Sequence, residues 1–199
     1  MKNLLLMSIL LLAGTGGVFG DSIFISPASQ NVYPGQSFTV GIDIDNIPDV
    51  FNYQFSLAFD PHVLAAQSVT EGALFANTGD SFFSPGTIDN SAGDITLVFD
   101  TLLSSAVGVA GPGTLATLQF EALAVGTSSI NFSPLGDLIL EDSGGNILAV
   151  SAESGSADVV PTPELATFVM IPTGFLLIAI GVWRKRCSPN SSEFPPVRC

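Results

Sequence analysis

The strongest constraint on the fold is a two-residue alternation of apolar and polar side chains. It is clearest between residues 51 and 59, where every second position is aromatic or leucine: Phe51, Tyr53, Phe55, Leu57 and Phe59. Successive side chains of a β-strand point to opposite faces, so this pattern predicts a strand with one buried face. The same alternation occurs at 38–45, and again at Ile95, Leu97 and Phe99, where it ends at Asp100. No long stretch in this part of the chain has the period of an amphipathic helix.

Turn-forming residues separate these apolar runs. The signals are Tyr33-Pro34-Gly35, Asp60-Pro61, Ser84-Pro85-Gly86, Gly111-Pro112-Gly113 and Ser143-Gly144-Gly145-Asn146. Less regular apolar segments between them predict further strands at 22–26, 64–70, 115–124, 129–132, 135–141, 147–151 and 156–160. Many short strands at regular spacing predict an all-β protein, an antiparallel β-sandwich of about nine strands.

Two other apolar segments are typical of export and membrane signals. Residues 1–20 have a positive charge near their start, at Lys2, followed by an apolar run and then by small residues. This is the pattern of a secretory signal peptide. Residues 165–183 carry no charge and are long enough to cross a hydrocarbon core about 30 Å thick as one helix. Basic residues follow at once, and such residues stay on the cytoplasmic side. We therefore expect an exported domain at 21–160, a linker at 161–164, a transmembrane helix at 165–183 and a cytoplasmic tail at 184–199.

The expected exported domain is acidic and has no basic residue. It holds 16 of the 18 Asp and Glu residues, whereas all five Lys and Arg residues lie outside it. Without cations it cannot neutralise phosphate, which argues against nucleic acid and anionic lipid as ligands. Divalent cations, cationic proteins and neutral sugars remain as possible ligands. The simpler interpretation is that the negative charge only maintains solubility. Cys187 and Cys199 both lie beyond the expected membrane helix, so no disulfide stabilises the domain.

No catalytic set of residues is evident. The single histidine, His62, follows Asp60-Pro61 and is expected to belong to a turn. Carboxylates are abundant, but a glycosidase needs two acids at a defined separation, and no pair stands out. We therefore expect a protein that is not an enzyme, with a polysaccharide hydrolase as a distant alternative.

Two groups of oxygen-bearing side chains are candidate calcium ligands. The first group is Asp43, Asp45 and Asp49, at a strand end and the turn after it; the second is Asp142 and Asn146, in a glycine-rich turn. Calcium prefers carboxylate and amide oxygens, but neither spacing matches an EF-hand loop. The alternative is that these are solvated turn side chains.

Three aromatic residues are candidate ligand-binding positions, because sugar binding needs exposed rings. They are Tyr33, Phe82 and Phe83. Since Phe82 and Phe83 are adjacent, one of them is expected to face out of its strand. The alternative is that these rings pack in the core, as Tyr53 is expected to do.

Four stretches in order resemble a cohesin domain, the module with which scaffoldins of cellulose-degrading assemblies hold dockerins. They are the Tyr33-Pro34-Gly35 turn with 36–40, the strand at 55–59 ending in Asp60-Pro61, Gly111-Pro112-Gly113 with 114–120, and 138–147 with its Asp142-Ser143-Gly144-Gly145-Asn146 turn. The resemblance covers about 23–160. It implies a nine-stranded jelly-roll sandwich and a non-catalytic extracellular module whose partner is a dockerin-like protein or a polysaccharide. The alternative is a structural, cation-bridged matrix protein without a specific ligand.

The C-terminal segment resembles a PEP-CTERM sorting signal. The resemblance is carried by Val160-Pro161-Thr162-Pro163-Glu164, the apolar run, and the cluster Arg184-Lys185-Arg186. It implies that Pro163, Glu164 and the three basic residues form the signal, and that an exosortase-type membrane protease processes the protein. We expect the protein in the bacterial cell envelope, either anchored by one membrane helix or released to the extracellular matrix.

Overall fold

The computed structural model describes residues 20–162. Within that range no helix is long and apolar enough to cross a membrane. The expected membrane helix, the sorting residues from Pro163 onwards, the tail and nearly all of the expected signal peptide lie outside the described residues. What was predicted for those segments stays a prediction.

Thirteen short strands dominate the described region. In chain order the elements are β1 (Ser22–Ser26), β2 (Ser29–Val32), β3 (Ser37–Asp45), β4 (Asn52–Ala58), β5 (Leu64–Glu71), the one-turn helix α1 (Ala73–Ala76), β6 (Ser81–Ser84), β7 (Thr87–Asp89), β8 (Asp94–Leu102), β9 (Gly113–Ala122), β10 (Gly126–Phe132), a 3-10 turn (Leu135–Asp137), β11 (Ile139–Glu141), β12 (Ser151–Glu153) and β13 (Gly155–Val159).

The strands form two sheets. The first sheet has the order β12-β1-β3-β9-β5, and the second has the order β2-β13-β10-β4-β8-β6, with β11 paired to β4 and β7 to β8. The predicted all-β sandwich is confirmed. The prediction of an entirely antiparallel fold is wrong, because β1 pairs with β12 and β2 with β13 in parallel. The last two strands of the domain run beside the first two, one pair in each sheet, and so make both sheets mixed.

The strand count and two strand positions also differ from expectation. Several extra strands are short and polar, such as β2 and the fully exposed β12, and therefore lack an apolar alternation. The segment expected as one strand at 135–141 divides into the 3-10 turn and β11. The prediction of a strand at 147–151 is wrong, since the strand in this part of the chain is β12, which begins only at Ser151 and ends at Glu153.

The core lies between the two sheets and is built from the alternating residues. Phe38, Val40, Ile42 and Ile44 of β3 and Tyr53, Phe55 and Leu57 of β4 are buried, as their pattern predicted. Burying one such side chain stabilises a fold by about 1.5–3 kcal/mol. Phe120 of β9 stacks on its in-sheet partner Phe38 with ring centroids 5.8 Å apart. Across the sandwich it lies 5.3 Å from the ring of Phe59, which follows β4 of the second sheet.

A β-bulge interrupts β8 at Leu97. The pairing of β8 with β4 shifts register between Phe55 and Leu57, and Leu97 has the left-handed backbone conformation, with φ 56°. Ile95 and Val98 are both buried, so the extra residue reverses the phase of the alternation. Leu97 and Phe99 were expected on the same face as Ile95. That expectation is wrong, because the bulge moves both residues to the outer face.

Candidate binding face

The outer face of β4, β8 and β6 carries the largest apolar residues that the second sheet exposes. Across these strands Gln54 is paired with Phe99, and Thr101 is paired with both Asn52 and Phe82. Residues that pair directly across neighbouring strands point to the same face of a sheet. These side chains therefore form one surface, opposite to the core side on which Tyr53 and Asp100 lie.

Phe82, Leu97 and Phe99 form the apolar strip of this surface. Phe82 is 57% exposed and Leu97 is 54% exposed, while Phe99 is half-buried. The rings of Phe82 and Phe99 have centroids 6.2 Å apart and are tilted by 57° to each other. The neutral polar side chains of Asn52, Gln54 and Thr101 lie beside them. Apolar side chains gathered on one surface and bordered by polar groups are typical of a site that meets another molecule.

Ser56 of β4 fixes one end of the apolar strip. Its hydroxyl donates to Asp137 Oδ2 at 2.8 Å and accepts a hydrogen bond from the backbone amide of Leu97 at 3.0 Å. Ser56 itself is almost fully buried. The bulge in β8 is thereby connected to the 3-10 turn, whose Leu135 is also exposed.

The structure separates the three aromatic candidates. Phe82 faces out, whereas Phe83 is partly buried and packs against the core. Tyr33 is exposed in the turn between β2 and β3, where the Gly35 amide donates to the Ala122 carbonyl. Because β2 and β6 are opposite edges of the second sheet, Tyr33 does not share a surface with Phe82. The exposure of Leu97 and Phe99 was not expected from the sequence, since a bulge leaves no simple mark in the apolar pattern.

The calcium candidates are brought together only in part. Asp49 reaches the turn at 142–146, where Ser143 Oγ donates to its Oδ2 at 2.7 Å. Its other oxygen, Oδ1, accepts a hydrogen bond at 2.7 Å from the amide of Gly108, which lies between β8 and β9. Asp142 accepts from the amides of Gly144 and Asn146 and from the Asn146 side chain. These hydrogen bonds hold the pKa of Asp49 and that of Asp142 below the ordinary aspartate value.

Asp43 and Asp45 lie instead on the outer face of β3 in the first sheet. Among residues 20–162 no group of three or more His, Cys, Asp or Glu side chains is arranged to hold a metal ion. The carboxylate oxygens of Asp49 and Asp142 accept hydrogen bonds from amide and hydroxyl groups of the protein. This arrangement favours a role in stabilising the turn over one in binding a metal ion. Calcium binding stays a prediction.

His62 lies in the predicted turn. Its amide donates to Asp60 Oδ1 at 2.9 Å, and its ring is 91% exposed and 3.2 Å from the same oxygen. These hydrogen bonds hold the pKa of Asp60 below its usual value. A shallow pocket of about 260 Å³ lies nearby, lined by Ala58, Phe59, Asp60, Ser129 and Asn131. Its lining has a single carboxylate, so it does not offer the pair of acids that glycoside hydrolysis requires.

Comparison with known proteins identifies the fold of this sandwich. A family model described as "Cohesin domain" matches residues 23–159. The sixth cohesin of scaffoldin B from Acetivibrio cellulolyticus, solved in complex with a mutant Cel5 dockerin, is 19% identical, with a TM-score of 0.58, over 71% of this chain and 99% of that chain.

Two further structures give the same result. A type II cohesin domain from the cellulosome of Acetivibrio cellulolyticus is 21% identical, with a TM-score of 0.60, over 69% of this chain and 95% of that chain. The OlpA cohesin of Clostridium thermocellum, solved in a cohesin–dockerin complex, is 14% identical, with a TM-score of 0.57, over 71% and 99%. At these identities the likeness shows the shared fold alone. No curated protein matches the chain.

Proposed function

This chain belongs to the cohesin domain family, and on that premise we propose that it is an extracellular module that binds a dockerin-like protein on the outer face of β4, β8 and β6. Cohesin domains are non-catalytic binding modules, so the protein is not an enzyme. The observation that carries the proposal is the apolar strip. Several structurally similar cohesins were solved in complex with dockerins.

The geometry of the strip favours a protein partner over a polysaccharide. A sugar ring stacks on a flat aromatic surface, but the rings of Phe82 and Phe99 are tilted by 57° to each other. A tilted pair beside an exposed Leu97 suits interdigitating apolar side chains, which form the centre of protein interfaces. The amides of Asn52 and Gln54 supply hydrogen-bonding groups at the border. Polysaccharide is the second candidate, favoured by the exposed ring of Phe82, and we treat it as an outcome of the test.

The charge of the domain adds a requirement on the partner. Residues 21–160 contain 16 acidic and no basic side chains, so a partner with Lys or Arg at its contact border is favoured electrostatically. Such an interaction weakens as salt screens the charges. The alternative of a cation-bridged matrix protein predicts self-association that depends on calcium and does not depend on the apolar strip.

A binding panel with designed variants tests the proposal. The full chain, purified in detergent, is titrated with dockerins of several classes and with cellulose and soluble glycans, with and without calcium. Phe82→Ala and Leu97→Asn are expected to weaken binding at least tenfold, since asparagine keeps the left-handed backbone of residue 97 and removes only the apolar side chain. Leu123 is another exposed apolar residue, in the β9–β10 connection, and Leu123→Ser is the matched control. Failure of the chain to bind either ligand class would overturn the binding role, and unchanged binding by both strip variants would overturn the site.

The location proposed for the module is the cell envelope. We infer export through the signal peptide at 1–20 and anchoring at 165–183, with removal of the tail at a sorting signal that includes Pro163 and Glu164. The support is sequence alone: the apolar runs, the basic cluster and the absence of Lys and Arg from 21–160. The intact mass of the mature protein tests this inference. A mature chain that ends near residue 163 supports sorting, and a chain that ends at Cys199 supports a stable anchor.

A further inference from the structure

A fully buried carboxyl group lies in the core beneath the apolar strip. Asp100 of β8 has 0% of its surface exposed, and its Oδ1 has no hydrogen-bond partner among the described residues. Two polar side chains lie close to it: Tyr53 of β4 and Glu71 at the end of β5. Glu71 in turn accepts a hydrogen bond from Ser81 at the start of β6. A buried ionised carboxylate without compensation is strongly unfavourable, so this group needs either a cation or a proton.

Among residues 20–162 no cationic side chain is available to Asp100. Residues 21–160 contain no Lys or Arg, and the ring of His62 is exposed in a distant turn. The elements packed against β8 are β4, β6, β7 and α1. Among them β6 and α1 have no titratable side chain, β4 contributes only Tyr53, and the Asp89 residue of β7 is paired with Asp94 at the far end of β8.

The hydrogen bonds of Tyr53 show where a proton on Asp100 would go. The Tyr53 hydroxyl donates its one hydrogen to the Leu115 carbonyl at 2.6 Å. Its oxygen lies 3.5 Å from Asp100 Oδ2 and can only accept there. If Asp100 is ionised, two groups of lone pairs face each other. If Asp100 is protonated, its hydroxyl donates to Tyr53 and the contact becomes a hydrogen bond.

Glu71 makes the ionised form of Asp100 still less favourable. Its Oε1 accepts a hydrogen bond from Ser81 Oγ, which holds the carboxylate beside Asp100. Burial, and next the charge of Glu71, raise the pKa of Asp100 to about 7. Burial and the negative charge of Asp100 also raise the pKa of Tyr53, so Tyr53 keeps its proton at every pH considered.

We propose that Asp100 keeps a proton in the folded domain beside the carboxylate of Glu71, and that this proton stabilises the fold in acidic solution and is lost, with its stabilising contribution, as the pH rises towards neutral. The hydrogen bond from Ser81 to Glu71 joins the two ends of the segment between β5 and β6. This segment contains α1, whose Phe75 packs edge-on against Tyr53 with ring centroids 5.1 Å apart. Loss of the proton from Asp100 places its negative charge beside that of Glu71, where β5, β6 and β8 meet. Two of these strands carry the apolar strip, so the effect reaches the proposed binding face.

The sign of the effect follows from proton linkage. A folded-state pKa above the unfolded value means that the folded chain keeps a proton that the unfolded chain has lost. The stabilising contribution is complete below the unfolded value of 3.8. It declines as the pH rises through the folded value and does not change further above it. Within this window, one proton of this kind makes the folding equilibrium constant fall by up to about tenfold for each unit by which the pH rises.

Urea unfolding and carbon NMR of the full chain in detergent test the proposal. Wild type, Asp100→Asn and Glu153→Gln are unfolded at several pH values between 4.5 and 8.5; Glu153 lies in the exposed β12, so its variant has the same change of charge without the burial. Asparagine resembles the protonated acid, so the free energy of unfolding of Asp100→Asn is expected to fall much less with rising pH than that of wild type. Glu153→Gln is expected to show the same fall as wild type. Glu71→Gln is expected to shift the decline to lower pH. Equal pH dependence of wild type and Asp100→Asn would overturn the proposal.

A second measurement does not depend on folding of the variant. The side-chain carbon resonance of Asp100 in the wild-type chain, followed against pH, is expected to report a protonated carboxyl at pH 5 and a midpoint well above that of the other aspartates. An ionised Asp100 at pH 5 overturns the proposal, whether or not Asp100→Asn folds.

Discussion

The hydroxyl of Ser56 accepts a hydrogen bond from the backbone amide of Leu97 at 3.0 Å. The bulge at Leu97 removes that amide from the regular ladder of the sheet, and Ser56 restores its partner. The same hydroxyl donates to Asp137, so one buried oxygen links β4, β8 and the 3-10 turn. The exposed position of Leu97 in the apolar strip therefore depends on a polar side chain beneath it.

Replacing Ser56 with alanine is expected to destabilise the fold. The variant leaves the Leu97 amide without its partner and removes the donor to Asp137, and a lost buried partner costs about 1–3 kcal/mol. Urea unfolding of Ser56→Ala measures the loss. Ser129→Ala removes the same hydroxyl at an exposed position of β10, and a change below about 0.5 kcal/mol is expected there. Equal effects of the two variants would show that Ser56 is not a structural connection.

Two truncations of Leu97 are expected to differ in stability. Leu97→Gly and Leu97→Ala both remove the apolar side chain, but only glycine adopts the left-handed conformation without a steric penalty. That penalty is about 1–2 kcal/mol for other residues. Leu97→Gly is therefore expected to be more stable than Leu97→Ala by about 1 kcal/mol in urea unfolding. The two variants should bind the partner equally weakly, because neither has the side chain of the strip. A less stable glycine variant would contradict the bulge conformation.

Gly86 is expected to be essential for the packing of the bulge. It has φ 70°, and a Cβ atom at this position would lie 2.3 Å from the carbonyl oxygen of Thr96. Gly86→Ala adds both a steric clash with backbone and a strained conformation, so a loss of about 1–3 kcal/mol in the free energy of unfolding is expected. Gly136→Ala is the control, because a Cβ there meets no atom within 4 Å. The control variant should unfold at the same urea concentration as wild type.

Much of the sandwich could be predicted from the sequence because its central strands alternate without interruption. The buried positions of β3 and β4, and the turn in which Asp60 binds the His62 amide, follow directly from local pattern. Of the proposed binding face, Phe82 was a candidate, but the exposure of Leu97 and Phe99 could not be predicted, since a one-residue bulge reverses the facing of every later residue of the strand. Asp100 was expected to end a strand, but β8 continues to Leu102 and buries it. A carboxyl group in the core is set by tertiary packing, which the local pattern does not contain.

The stability of the wild-type chain is expected to be greatest in mildly acidic solution, below pH 7. On the acid side, hydrogen bonds lower the pKa values of Asp49, Asp60 and Asp142. Groups of this kind stabilise the fold above their unfolded value of 3.8 and lose that contribution as the pH falls through their folded values. On the other side, the raised pKa of Asp100 makes stability decline from about pH 4 towards 7. The two effects leave a maximum between them.

Salt separates this decline from general repulsion among the 16 acidic residues of the domain. Repulsion between exposed carboxylates is screened at high ionic strength, whereas the environment of a buried pair is screened much less. The urea midpoint, measured against pH at low and at high salt, should therefore keep its fall towards pH 7 when salt is added. In Asp100→Asn the residual fall should disappear at high salt, and the maximum should move to higher pH. A wild-type maximum at or above pH 7 in high salt would show that Asp100 is ionised in the folded domain.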